Sequence, residues 1–215
     1  MNKFFVRTTG KRQINYDLDY EVLCDPVSHP VDSFINQLKY ISDYDAVLLE
    51  DDLVLCENFK EEIEKVISLY PNKIINFFTN PTKYYSTHAS TDFSFNQCTY
   101  YPKGIAKVIA DRMELIHKMF PNAYQYDVLE NQVLNEFGIT HVKYRPCLVQ
   151  HLDFDTLIQE QTYNRRCIYF IDYLKELNIE YEDAYLPKNR KKLEQQMNKH
   201  IKTLQDGNVI PSEIV

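Results

Sequence analysis

Short apolar runs alternate with amphipathic segments through most of the chain, and this alternation constrains the fold more than any other feature. KFFVRT, YEVLC, DAVLL and KIINFF have the length and apolar content of strands. Between them, VDSFINQLKYI and ENFKEEIEKVISLY place apolar residues at helical spacing. Strands that alternate with helices predict a mostly parallel sheet flanked by helices, which is the α/β class.

The second half of the chain continues the pattern beyond a long polar and aromatic loop, Thr79 to Asn96. QCTYY and THVKYRPCLVQHL predict two more strands, and PKGIAKVIADRMELIHKMF and YDVLENQVLNEF predict helices. Two further helices are predicted over LIQEQTYNRRCIYFIDYLKEL and NRKKLEQQMNKHIKTL. A length of 215 residues suits one compact domain with an appendage. We therefore expect a Rossmann-like α/β domain over residues 1–155 and a C-terminal helical extension over 156–215.

Composition limits the cellular setting and the partners. The start of the chain, MNKFFVRTTGKRQ, lacks the apolar core of a secretory signal, and no stretch approaches the roughly 20 apolar residues of a membrane helix. Five widely spaced cysteines without a CxxC pair fit reduced thiols, so we expect a cytoplasmic protein. The net charge of −7 argues mildly against nonspecific nucleic-acid binding, although the clusters NRRC and PKNRKKLEQQMNKHIK are basic.

Three consecutive carboxylates, Glu50, Asp51 and Asp52, follow the apolar run Ala46 to Leu49. Ligands of open α/β sheets bind at the carboxyl ends of strands, so these side chains would form an acidic edge. Adjacent carboxylates repel one another, and a hard divalent cation such as Mg²⁺ or Mn²⁺ is their natural partner. The alternative is that the acids cap the next helix, although the pattern predicts that this helix starts nearer Glu57 and Asn58.

The segment VLLEDDLVLCENF resembles the DxD-type acidic motif of GT-A glycosyltransferases, the lipooligosaccharide enzymes above all. A second segment, RPCLVQHLDFDT, is similar to the part of several GT-A families in which a histidine completes the metal site. The resemblance covers roughly residues 3–155. It implies a GT-A-like fold, a UDP-sugar donor, and Mn²⁺ or Mg²⁺ held by Asp52 and His151 with help from Glu50 or Asp51. The alternative for His151 is a surface histidine or a core histidine with its hydrogen bonds satisfied.

The same resemblance assigns the nucleotide to the first strand and its turn, Val6 to Arg12, and to the end of the second strand. Cations at this position suit a leaving nucleoside diphosphate, whose charge they offset. Ordinary turn chemistry explains the same residues without a ligand. The implied donor-binding residues are Arg7, Thr8, Lys11, Arg12 and Asp25.

Asp127 and Glu130 lie in NAYQYDVLENQVL, a segment similar to the one in which inverting GT-A enzymes carry their base. An inverting transferase needs a group that takes the proton of the acceptor hydroxyl. A spacing of three places both carboxylates on one side of a helix, and we favour Asp127 over Glu130. The same spacing fits an N-cap and its capping-box partner, so both roles stay open.

These features predict a metal-dependent, inverting hexosyltransferase that takes its sugar from a nucleotide-diphosphate donor. The acceptor would be a glycan, free or lipid-linked, or DNA with hydroxymethylated pyrimidines, as small bacteriophage enzymes of this kind use. The basic C-terminal helices favour DNA, and the aromatic loop 84–95 would stack on a flipped base. A non-catalytic binding protein with a GT-A-like sheet and a nucleotidyltransferase are the other open classes.

Overall fold

The computed structural model describes residues 2–26, 29–78, 88–90, 93, 96–121, 125–151 and 166–206, with backbone alone at 88–90, 205 and 206. Within these ranges the protein is an α/β fold whose sheet lies between two layers of helices. The predicted α/β class is therefore confirmed.

Nine strands form two sheets in the part of the chain that the structure describes. The strands are β1 (Lys3–Thr8), β2 (Tyr20–Cys24), β3 (Ala46–Glu50), β4 (Leu53–Leu55), β5 (Ile74–Asn76), β6 (His88–Ser90), β7 (Cys98–Tyr101), β8 (His141–Lys143) and β9 (Val149–His151). The main sheet has seven strands in the order β2-β1-β3-β7-β5-β8-β6, and β4 pairs with β9 in a small antiparallel sheet. In the main sheet β1, β2, β3, β5 and β8 run in one direction and only β6 and β7 oppose them.

Among the described residues, six helices accompany the sheets: α1 (Pro30–Ile41), α2 (Phe59–Leu69), α3 (Ile105–Met119), α4 (Tyr126–Glu136), α5 (Ile171–Leu177) and α6 (Pro187–Asp206). A 3₁₀ turn, Tyr181–Asp183, lies between the last two. Across the described ranges, no helix combines the length and the apolar content needed to cross a bilayer.

The helices cover the main sheet on both faces. The core on one face is shared by α1, α3 and α4, and the core on the other by α2, α5 and α6. Alternate residues of β3 enter the two cores, with Leu48 in the first and Val47 and Leu49 in the second. A strand buried on both faces must be apolar throughout, which explains the unbroken run before the acidic triplet.

The segment THVKYRPCLVQHL was predicted as one strand, and that prediction is wrong. It forms two short strands in different sheets: β8 lies beside β5 in the main sheet, whereas β9 pairs with β4. Pro146, which follows a cis peptide bond, has no N–H to donate to a ladder, so the strand ends before it. The interruption carries His151 away from the main sheet and into the small one.

The boundary expected at residue 155 falls within residues 152–165, which lie outside the described ranges. The segment 166–206 packs into the same core as α2, through Phe170, Tyr173 and Leu193. Its backbone also pairs with the main domain, because the N–H of Cys147 donates to the carbonyl of Tyr169 at 2.9 Å. The helix expected over residues 157–177 is wrong over 166–170, which the structure describes as non-helical. Phe170 forms an isolated bridge with Cys147 there, so α5 begins only at Ile171.

Candidate metal and nucleotide site

The acidic triplet lies where β3 leaves the main sheet. Glu50 is the last residue of β3, and Asp51 and Asp52 form the turn into β4. The parallel strand β1 ends beside it, with Arg7 opposite Glu50 in the register. Helix α2 begins only at Phe59, so the acids do not cap it. The triplet therefore occupies the carboxyl edge of the sheet, where open α/β sheets bind ligands.

His151 reaches the triplet through the small sheet. In the β4–β9 pair it lies opposite Leu53, the residue that follows Asp52. Nε2 of His151 is 3.4 Å from Oδ2 of Asp52, and both side chains are buried. Glu50, Asp52 and His151 each present a ligand atom within 4.8 Å of the other two. Antiparallel pairing thus joins residues that are far apart in the sequence.

Asp52 provides the observation that tests whether a cation fits. Its Oδ1 is buried and accepts no hydrogen bond from any residue that the structure describes. Burial raises the pKa of Asp52 to about 6, although the nearby His151 lowers it. A buried carboxylate oxygen without a donor is costly, and a bound cation removes that cost. Two carboxylates and one imidazole suit Mn²⁺ better than Mg²⁺, because Mg²⁺ prefers oxygen ligands alone.

Two arginines already neutralise part of the acidic charge. Nη2 of Arg7 donates to Oε1 of Glu50 at 2.5 Å. Nη1 of Arg12 donates to Oδ1 of Asp51 at 2.9 Å and to Oδ2 of Asp52 at 2.8 Å. Among the residues that the structure describes, two guanidinium groups thus face the three carboxylates. The chain's own cations therefore meet part of the demand that the sequence predicted.

Arg7 is held in place by several groups. Its Nη2 also donates to the carbonyl of Asn96 at 2.9 Å and to the hydroxyl of Tyr126 at 3.1 Å. The guanidinium lies over the rings of Tyr126 and Phe34, at 4.7 and 5.2 Å from their centroids. The hydroxyl of Tyr126 in turn donates to Glu50 at 3.1 Å. Arg7 thus fixes Glu50 and ties the first turn of α4 to the site.

The remaining predicted donor-binding residues lie around the same edge. Oγ1 of Thr8 donates to Oδ2 of Asp51 at 2.5 Å and accepts from the N–H of Gly10 at 2.9 Å. The N–H of Asp25, just beyond β2, donates to the carbonyl of Thr8 at 3.1 Å. Lys11 is exposed on the turn after β1. Of these residues, Thr8 contacts the acidic triplet directly, Asp25 follows the adjacent strand, and Lys11 lies on the exposed turn after β1.

The two candidate bases have different surroundings. Asp127 is half-buried in the first turn of α4, where its Oδ1 accepts from the N–H of Val128 at 2.9 Å. It follows Tyr126, whose hydroxyl contacts Glu50. The N-cap of α4 is Gln125, so the capping box considered for Asp127 and Glu130 does not form.

Glu130 is fully buried behind the site. It accepts hydrogen bonds from the hydroxyl of Tyr101 at 2.8 Å and from Nδ2 of Asn96 at 2.6 Å. Burial raises its pKa to about 8, against the opposing effects of Tyr101 and Arg7. A buried carboxyl that holds its proton is poorly suited to contact an acceptor, so the geometry favours Asp127 between the two.

The sequence patterns did not identify three residues that hold the site together: Tyr16, Asn96 and Tyr126. The hydroxyl of Tyr16 donates to the carbonyl of Glu50 at 2.6 Å and accepts from the N–H of Leu53 at 3.0 Å, which fixes the acidic turn. Asn96 and Tyr126 hold Arg7, as described above. The only signal for Tyr126 was its place next to Asp127, and Tyr16 had none.

Comparison with protein-family models found no match, and comparison with curated proteins found none either. The fold and the site define a class, an α/β protein with a candidate divalent-cation site at the carboxyl edge of its sheet.

Proposed function

We propose that the chain is a metal-dependent glycosyltransferase of the GT-A type that takes its sugar from a nucleotide-diphosphate donor, with a UDP-sugar as the first choice. The observation that carries this proposal is the buried Oδ1 of Asp52, which accepts no hydrogen bond from the described residues and lies in the cluster with Glu50 and His151. The same residues supply the sequence resemblance to the DxD-type motif. Their position at the carboxyl edge of the sheet supports a nucleotide ligand.

In this proposal Asp52, His151 and Glu50 hold Mn²⁺ or Mg²⁺, which when bound offsets the charge of the departing diphosphate. Arg12 lies at the rim with a side chain 16% exposed, where a guanidinium can donate to phosphate oxygens. Lys11 adds a second cation on the same turn. Asp25, at the end of the neighbouring strand, would accept from ribose hydroxyls or the base.

Asp127 would take the proton of the acceptor hydroxyl. Its half-buried position leaves the carboxylate within reach of a bound molecule, and its neighbour Tyr126 contacts Glu50. Proton transfer to a base requires hydrogen-bond distance between the base and the acceptor hydroxyl, so this role needs the acceptor to bind beside the first turn of α4.

One observation favours DNA over a glycan as the acceptor. Helix α6 exposes a series of cations: Lys188, Arg190, Lys191, Lys192, Lys199 and Lys202. Binding to phosphates releases counterions and weakens steeply with salt, whereas glycan binding does not. A salt titration of binding to duplex DNA with hydroxymethylated pyrimidines therefore separates the two acceptors. Most of the aromatic loop 84–95, which would stack on a flipped base, lies outside the described residues.

The experiment that tests the donor site is a thermal-shift series with UDP, GDP, CDP and ADP, each with Mn²⁺ and with a chelator. A ligand present at about one hundred times its Kd adds about 2.7 kcal/mol to the stability of the folded state. For a chain of this size that is a rise in Tm of roughly 5–10 °C. We expect the rise for UDP with Mn²⁺ and its loss with chelator.

Two variants give the test its control. Asp52→Asn should abolish the shift and any release of UDP from a UDP-sugar, while the protein stays folded. Asp43→Asn makes the same charge change at an exposed position after α1 and should change neither. No shift with any diphosphate would overturn the proposal. Binding without turnover would favour the binding-protein class, and pyrophosphate release from a nucleoside triphosphate would favour a nucleotidyltransferase.

A further inference from the structure

A second cluster of metal-ligating side chains lies away from the acidic triplet. His29 is the N-cap of α1, Asp32 lies in the first turn of the same helix, and His117 lies in the last turn of α3. Each offers one ligand atom within 4.8 Å of the other two. The proposed glycosyltransferase site uses none of the three. We propose that this cluster, the His29 cluster, binds a transition metal ion of the Zn²⁺ class.

The distances match a tetrahedral ion. Zn²⁺ binds imidazole nitrogen and carboxylate oxygen at about 2.0–2.2 Å, so two ligand atoms of one ion lie about 3.4 Å apart. Nε2 of His117 lies 3.4 Å from Oδ1 of Asp32. The rings of His29 and His117 lie near each other, with their centroids 5.4 Å apart and their planes 23° apart, so a modest rotation of the exposed His29 ring is needed for both to face one ion.

The exposures of the three side chains fit a site in which one ligand is fixed by packing and the other two are free to move toward the ion. The side chain of His117 is only 12% exposed, so packing holds it in one place, whereas that of Asp32 is 53% exposed. His29 is exposed as well. The two exposed side chains can therefore move by the at most about 1.4 Å that separates a spacing of 4.8 Å from the tetrahedral spacing of about 3.4 Å.

His29 makes one bond that a metal would replace. Its Nδ1 accepts from the N–H of Val31 at 3.3 Å, a long contact that caps α1. A neutral imidazole has a single lone pair, so His29 serves either the cap or the metal. Because the capping contact is long, its loss is a small obstacle to metal binding.

The two clusters differ in the ions that they prefer. Two imidazoles and one carboxylate suit Zn²⁺, Co²⁺ or Ni²⁺, whereas the carboxylate-rich set at Asp52 suits Mn²⁺. Zn²⁺ at the His29 cluster would join the start of α1 to the end of α3, and its open positions would hold water.

The test is equilibrium dialysis of the untagged full chain against Zn²⁺, followed by metal analysis, in a His151→Ala background that weakens the other cluster. One bound equivalent is expected in that background. His29→Ala and Asp32→Asn should each remove it or weaken it at least about tenfold. Asp43→Asn, the matched exposed carboxylate after α1, should leave it unchanged. His117→Ala should act like His29→Ala, but its buried position makes the exposed variants the decisive ones.

Zn²⁺ binding that is identical in His29→Ala, Asp32→Asn and the background protein would overturn the proposal, and so would the absence of binding in the background protein. A thermal shift with Zn²⁺ that His29→Ala abolishes would add independent support. Neither result depends on glycosyltransferase activity, so this proposal and the proposed function can fail separately.

Discussion

Replacement of Glu130 by glutamine should stabilise the protein above neutral pH. The carboxyl is fully buried, and burial raises its pKa from the ordinary 4.5 to about 8. When protonated, it can donate to the oxygen of Tyr101, whose hydroxyl lies 3.3 Å from Oδ1 of Asn96 and can donate there. A glutamine amide reproduces this arrangement, because its N–H₂ donates to Tyr101 and its oxygen accepts from Asn96.

The sign and size of the effect follow from the pKa. The unfolded chain loses the Glu130 proton near pH 4.5 while the folded chain keeps it until about pH 8. Stability from this group is therefore complete below the lower pKa and is lost as the pH rises through the higher one. One pKa unit corresponds to about 1.4 kcal/mol, so the loss between pH of about 5.5 and about 8 is roughly 3 kcal/mol.

Urea unfolding of the wild type and of Glu130→Gln at those two pH values provides the assay. The free energy of unfolding of Glu130→Gln, relative to that of the wild type, should increase by about 3 kcal/mol as the pH rises between these two values. Glu136→Gln makes the same substitution at a partly exposed position of the same helix and should follow the wild type. Parallel pH profiles of wild type and Glu130→Gln would show that Glu130 is ionised in the folded state and would refute the reasoning.

Three further changes test the site, the C-terminal segment and a backbone conformation by the same unfolding measurement. Arg7→Ala removes the main partner of Glu50, whose side chain is only 15% exposed, and should lower the free energy of unfolding by about 3 kcal/mol. Lys107→Ala, in an exposed helix pair, should change it by no more than about 0.5 kcal/mol. Equal effects would contradict the assigned difference in burial. Phe170→Ala should lower the free energy of unfolding by about 3–5 kcal/mol, with one unfolding transition for the whole protein. A separate second transition would show that the C-terminal segment unfolds independently. Gly104 has a φ of 85°, with open space where the methyl group of an alanine would lie. Gly104→Ala should therefore lower the free energy of unfolding by about 1 kcal/mol through backbone strain alone. An unchanged free energy of unfolding would refute the left-handed conformation.

The apolar patterns of the sequence predicted the elements whose formation depends on residues nearby in the chain. The run Ala46 to Leu49 was recognisable because β3 is buried on both faces. The split between β8 and β9 was not, since apolar periodicity continues across Pro146 and the change of sheet depends on distant partners. The strand β4 escaped prediction for the same reason: three residues pair only because β9 lies opposite them.

The candidate site divides in a similar way. Glu50 to Asp52 and His151 were found through a motif, but the charge balance with Arg7 and Arg12 required the sheet register. For Glu130 a signal was present in the sequence: Val133 and Leu134 follow it by three and four residues, so it shares their buried face. The spacing of three between Asp127 and Glu130 indicates only a shared side of the helix. The spacing of Glu130 from Val133 and Leu134 is the signal that predicts its burial.

The segment around β9 is held from two sides, and this links the candidate metal site to the end of the chain. On one side β4 pairs with Val149–His151 and presents His151 to Asp52. On the other, Cys147 bonds to the backbone of Tyr169 and Ile171 in the C-terminal segment. For the cation proposed at this site, thermodynamic reciprocity would apply: a molecule that tightens the docking of residues 166–206 by favouring this position of β9 would raise the affinity for the cation, and the cation would strengthen that docking by the same factor.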